Sequence, residues 1–137
     1  GLEGHRHLPE IKENVELISG YPIKLNFLPH LIPTMRGIYS TIYIQLKELN
    51  VLNIRDLYDS FYKDSPNVSI MRHGEVPDIK SIANTNNCHI SVNHSNIANQ
   101  VVVISSIDNL VKGAAGQAVE CYNLMNGFNQ STGLVNG

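Results

Sequence analysis

The chain carries little charge and almost no cysteine. Only 16% of its 137 residues are charged, and the formal net charge is −2. That balance offers no electrostatic case for binding nucleic acid or an anionic membrane. Cysteine occurs twice, as Cys88 and Cys121. Two cysteines do not make a disulfide framework, so a reduced, cytoplasmic setting is the default expectation. No apolar run approaches the ~20 residues needed to span a bilayer. The opening residues, Gly-Leu-Glu-Gly-His-Arg-His, do not read as a secretory leader. There is no internal repeat and no low-complexity segment. Apolar residues still make up 42% of the chain, enough for the core of a single domain over 1–137. Asparagine is abundant, which suits many turns.

Read in order, His5-Arg6-His7 places two imidazoles two residues apart, on one side of an extended segment. Pro9 and Glu10 suit the first turn of a helix over 9–19, with Ile11, Val15 and Ile18 as its apolar stripe and Gly20 as its stop. Paired histidines also suit a hydrogen-bonded surface turn. No third ligand follows at metal spacing, so no metal site is expected. Ile23, Leu25 and Phe27 alternate with polar residues as in a strand, which the Pro29–Pro33 segment interrupts. Ile38 to Leu46 is rich in β-branched and aromatic residues and predicts a strand. Asn53 can cap a helix over 54–63. Val68 and Ile70 predict a third strand, and Cys88, Ile90 and Val92 a fourth. Val101 to Ile104 is unbroken apolar, as in a central strand covered on both faces.

The stretch 107–120, IDNLVKGAAGQAVE, then opens a helix running from about 108 to 126, capped by Ser105, Ser106 or Asp108 and stopped by Gly127. Gly113 and Gly116 within a helix cost roughly 1 kcal/mol each against alanine, which implies a close approach to that face. Asp108, Asn109 and Lys112 fall near the helix start, where free N–H groups favour polar ligands. GAAG lies inside the helix and lacks a Gly-Lys-Ser/Thr ending, so it is no phosphate loop. The tail to Gly137 reads as loosely ordered. Strands grouped between helices indicate an α+β fold with a mixed, mostly antiparallel sheet and helices packed on it.

Three ordered stretches carry a resemblance: GHRHLPEI at 4–11, FLPHLIPTMRGIYSTIY at 27–43, and IDNLVKGAAGQAVE with the NLMNGF that follows. They resemble the C-terminal segment of the N-acetyl-γ-glutamyl-phosphate reductases, and aspartate-semialdehyde dehydrogenases fit these motifs much less well. The resemblance implies the catalytic and subunit-contacting domain shared with glyceraldehyde-3-phosphate dehydrogenase, and a homo-oligomer. It implies NADPH-dependent reduction of N-acetylglutamyl phosphate to N-acetylglutamate semialdehyde, in arginine biosynthesis. A cysteine thiolate attacks the acyl phosphate, phosphate leaves, and hydride reduces the thioester. The family's glycine-rich dinucleotide-binding turn and its Asn-Pro-Gly-Cys type turn do not occur in these 137 residues, so the chain looks like the part after the nucleophile, inactive alone.

The family's acid/base position falls on the HRH motif, on His7 or on His5, because an imidazole titrates near neutrality. Glu10 can orient that ring or serve only as a helix N-terminal charge. Arg36 or Arg6 can take the acyl phosphate or the substrate carboxylate. Asn109 is expected beside the nicotinamide, its amide holding the carboxamide, with Lys112 and Gly113 on the same surface. Cys121, mid-helix, and Cys88, in a strand, lack the setting of an activated thiol. A second class remains open: a stand-alone, non-enzymatic module that binds a small anion or a protein.

Overall fold

The computed structural model describes residues 4–47 and 51–134, and the side chains at 51–53 lie outside that description. The chain divides into two compact units, Gly1–Pro33 and Thr34–Gly137. The first is built on α1, His7–Ser19, which starts two residues earlier than proline and charge suggest. Gly20 closes it at φ 72°, where a side chain would be strained, and returns its N–H to Glu16 O. The apolar stripe of α1 is not buried: Val15 is 40% and Ile18 86% exposed. The expected strand at Ile23–Phe27 is irregular backbone instead. Alternation alone makes no strand, since each N–H and C=O needs a ladder partner. Here the Ile23 N–H donates to the Glu16 carboxylate at 2.9 Å.

The second unit is a four-stranded sheet with helices. Its elements are β1 (Ile38–Gln45), α2 (Val51–Tyr62), β2 (Val68–Ile70), α3 (Ile79–Ile82), β3 (Cys88–His94), β4 (Gln100–Ile107), a π-helical turn (Val111–Ala115) and α4 (Gly116–Met125). The sheet order is β1-β4-β3-β2. β1 and β3 flank β4 antiparallel, while β2 joins β3 in parallel. The α+β class with a mixed, mostly antiparallel sheet therefore holds. The proposed Asn53 cap falls outside the described side chains.

The pairing Ile42↔Val103↔Val92 places those three residues on one face. There Ile90, Val92, Val101 and Val103 form the core, with Ile54, Tyr58 and Tyr62 of α2 packed against it. β4 is internal but not covered equally on both sides. Val101 and Val103 are 1% and 2% exposed, whereas Val102 and Ile104 are half-buried. Their neighbours on that second face include Tyr39 and Tyr43, 41% and 67% exposed. That face is open along β1 and closed over Ser91 and Ser106, 1% and 0% exposed, a mixture that the unbroken apolar run concealed.

The segment after β4 differs from a simple α-helix. Gly113 N bonds to Asp108 O, and Gly116 N to Val111 O, each spanning five residues. The small residues allow this wider turn, a form that recurs at functional sites. The tail, expected to be loose, is tied down through 134. Asn123, nearly buried, donates to Gln130 O and Thr132 O, and the Gln130 amide reaches Glu120.

Candidate functional site

In the first unit the HRH segment leads into α1. Arg6 occupies the cap position and His7 is the first helical residue. The His7 N–H donates to His5 Nδ1 at 3.3 Å, and the His5 ring meets Phe27 edge-on at 5.4 Å between centroids. A nitrogen that accepts an N–H bond is unprotonated, so neutral His5 carries its proton on Nε2. His7 is exposed, its ring makes no hydrogen bond among the described residues, and it shares an open hollow on α1 with Glu10 and Asn14. No hydrogen bond joins the Glu10 carboxylate to either imidazole among the described residues.

In the second unit Arg36, Asp108 and Asn109 come together from positions 72 residues apart. Arg36 Nε lies 3.0 Å from Asp108 Oδ2, and its Nη2 donates to Oδ1 at 3.2 Å. Its Nη1 donates to Asn84 Oδ1 at 2.5 Å. The fully buried Asp108 also accepts the N–H groups of Asn84 (2.7 Å), Leu110 (2.8 Å) and Val111 (3.0 Å). Burial alone would raise the Asp108 pKa, but the backbone donors of Asn84, Leu110 and Val111 and the Arg36 guanidinium hold it below the ordinary carboxylate range. The helix-start N–H groups expected to await a ligand are thus taken by the chain's own carboxylate. Of the candidate caps, Asp108 serves; Ser106 is buried in β4. Arg36, expected to grip phosphate or carboxylate, spends its fork on Asp108 and Asn84. Asn109 Oδ1 accepts the Gly37 N–H at 2.8 Å, and its Nδ2 has no partner among the described residues.

Lys112, expected on the cofactor surface, is half-buried and paired. Its ammonium lies 2.5 Å from Glu120 Oε2, within a cage that sequence reasoning missed. Glu120 is 2% exposed and also accepts from Asn67 (2.8 Å), Asn86 (3.0 Å) and Gln130. Burial would raise its pKa, yet Lys112, Asn67, Gln130 and Asn86 together lower it to about 2. Asparagine abundance, read as turns, hid two buried amides that serve this carboxylate. An acidic residue on the small-residue helix was the available signal. Gly113 is exposed, whereas Gly116 is buried against Asn86.

Both cysteines are free. Burial pushes the Cys88 thiol up, only partly offset by Lys112, the opposite of an activated nucleophile. Among the described residues, no group of three His, Cys, Asp or Glu could hold a metal, and no helix is long and apolar enough to cross a membrane.

The fold that carries these residues is a mixed four-stranded sheet with helices. The chain belongs to the semialdehyde dehydrogenase, dimerisation domain family, whose pattern matches residues 1–109. It is 45% identical over 134 residues to an N-acetyl-gamma-glutamyl-phosphate reductase of Laribacter hongkongensis, covering 98% of this chain and 39% of that protein. A protein of the same name from Rippkaea orientalis is 43% identical over 136 residues, again 98% and 39%. The chain thus spans about 39% of the length of the curated relatives it matches. In fold it is similar to aspartate semialdehyde dehydrogenase II from Vibrio cholerae, at a TM-score of 0.55 and 14% identity over 72% of this chain and 30% of that one.

Proposed function

We propose that this chain is the C-terminal dimerisation part of an N-acetyl-γ-glutamyl-phosphate reductase. That enzyme would reduce N-acetylglutamyl phosphate to N-acetylglutamate semialdehyde with NADPH, in arginine biosynthesis. The observation that carries this reading is the 45% identity over 98% of the chain to a relative of that name. Two free cysteines and the absence of a spanning helix among the described residues are compatible with a cytoplasmic enzyme.

In this reading one imidazole of the HRH motif holds and moves the proton at the reacting oxygen. His7 is preferred over His5, because His7 shares an open hollow with Glu10 while His5 is engaged by a backbone N–H and Phe27. Glu10 lines the same hollow as His7, and Arg6, at the cap of α1, makes no ion pair among the described residues and suits phosphate or carboxylate. NADPH, when bound, supplies the hydride. On the chain's side, the Nδ2 of Asn109, which has no partner among the described residues, fits a nicotinamide carboxamide, and exposed Gly113 leaves room beside it. Lys112 fits poorly as a cofactor ligand, since Glu120 neutralises it. The exposed β1 side of the sheet's second face, with Tyr39 and Tyr43, suits pairing of two copies.

The test uses the complete reductase carrying this sequence. His7→Asn should lower turnover by about a hundredfold or more, the usual worth of a positioned acid/base, with a smaller change in substrate KM. A severe His5→Asn with a mild His7→Asn would transfer the role to His5. Full activity in both variants would end the acid/base reading. The 137-residue polypeptide alone, which contains no glycine-rich dinucleotide turn, should oxidise no NADPH when given the acyl phosphate.

A further inference from the structure

We propose that Arg36, Asp108 and Gly37 are positioning residues that lock the Asn109 amide in one orientation, so that it meets a ligand only as a donor and selects a carbonyl oxygen. The proposal rests on the reading above that Asn109 faces the nicotinamide carboxamide. A backbone N–H can only donate. The Gly37 N–H lies 2.8 Å from Asn109, so the atom facing it must be the amide oxygen. Flipping the amide would set two donors against each other. Nδ2 is then the end left for a ligand, with no partner among the described residues.

The lock depends on where Gly37 sits, and its position is over-determined. Gly37 holds φ at +109°, and an added Cβ would lie 2.5 Å from Ile79 Cγ2, so the loop packs tightly onto α3. The preceding residue, Arg36, is tied to Asp108 by its Nε and Nη2 and to Asn84 by Nη1. Asp108 is fully buried and adjoins Asn109 in sequence. One ion pair therefore fixes both sides of the Gly37–Asn109 bond. Arg36 acts on the ligand through Asn109, not by touching it.

The experiment measures binding of NADPH and of its 3-acetylpyridine analogue to the complete reductase by calorimetric titration. The analogue keeps the carbonyl and lacks the amide nitrogen. Asn109→Ala should weaken both ligands equally, by about threefold to tenfold, the worth of one hydrogen bond. A loss for NADPH alone would show the amide reading the ligand's N–H₂ instead, and would overturn the proposal while the nicotinamide reading survives. No loss for either ligand would overturn both. Arg36→Gln should reproduce most of the Asn109→Ala loss, add little to it in the double variant, and speed hydrogen exchange at the Gly37 amide. An Arg36→Gln loss that adds in full to that of Asn109→Ala, or an unchanged Gly37 exchange rate, would overturn the positioning role. Should Arg36→Gln fail to fold, the analogue comparison on Asn109→Ala still decides the orientation.

Discussion

Gly116→Ala tests how the small-residue helix is packed. A Cβ built at Gly116 would lie 2.1 Å from Asn86 Oδ1, 2.8 Å from Val111 Cγ1 and 2.9 Å from Val111 O. Asn86 is fully buried, and its Nδ2 donates to Glu120 at 3.0 Å, so the amide cannot swing aside without losing that bond. Overpacking costs about 1–3 kcal/mol. A lost hydrogen bond to a charged group adds about 1.5–3 kcal/mol. Alanine's better helix propensity returns about 1 kcal/mol. The net is a destabilisation of about 1.5–5 kcal/mol, centred on roughly 10 °C in the melting temperature of a chain this size. Gly113→Ala is the internal control. Its Cβ would meet Ile107 Cδ1 at 3.4 Å and Asp108 O at 3.5 Å, ordinary contact distances, so the variant should be neutral or slightly stabilised. Thermal and urea unfolding of the two variants side by side measures the difference. A Gly116→Ala protein as stable as Gly113→Ala would refute the close approach of Asn86 to α4.

Acid should act through Glu120. Its folded pKa of about 2 lies below its ordinary 4.5, so its stabilisation is present above about pH 4.5 and is lost as pH falls towards 2. The shift corresponds to about 3 kcal/mol, and urea midpoints from pH 6 to pH 3 should fall less steeply in Glu120→Gln than in the parent. Gly37→Ala should destabilise by about 1–3 kcal/mol through its left-handed backbone, and trimming Ile79 to alanine in the same protein should recover only the steric part. Full recovery would show that the φ of +109° carries no strain. The 137-residue chain should sediment as a dimer across a dilution series, and Tyr43→Glu on the open sheet face should weaken association at least tenfold, by about 1.4 kcal/mol or more. A clean monomer at micromolar concentration would show that this face does not drive pairing.

Much of the second unit was legible from local pattern. Alternation and β-branched content located β1, β3 and β4, and apolar spacing with flanking signals located α2, as it did α1 in the first unit. The same rule misled at Ile23–Phe27, because period two describes which way side chains point, not whether a neighbouring strand exists. α3 was invisible, since a helix of four residues has no period to detect. The close-approach reading of the small-residue helix applied to Gly116 and not to Gly113. Both look alike in sequence, and only the position of Asn86 separates them.

The sequence by itself determined most of the element types, the α+β class, the family and the candidate imidazoles, because each is written in short-range spacing or contiguous motifs. The tertiary structure alone decided which polar groups are spent on one another. Arg36 meets Asp108 across 72 positions, and Glu120 gathers Asn67, Asn86, Lys112 and Gln130 from four separate segments. A side chain looks equally available in sequence whether it is free or paired. Burial removes water as a partner, so each buried charge must find its counterpart within the fold, wherever the chain happens to bring it.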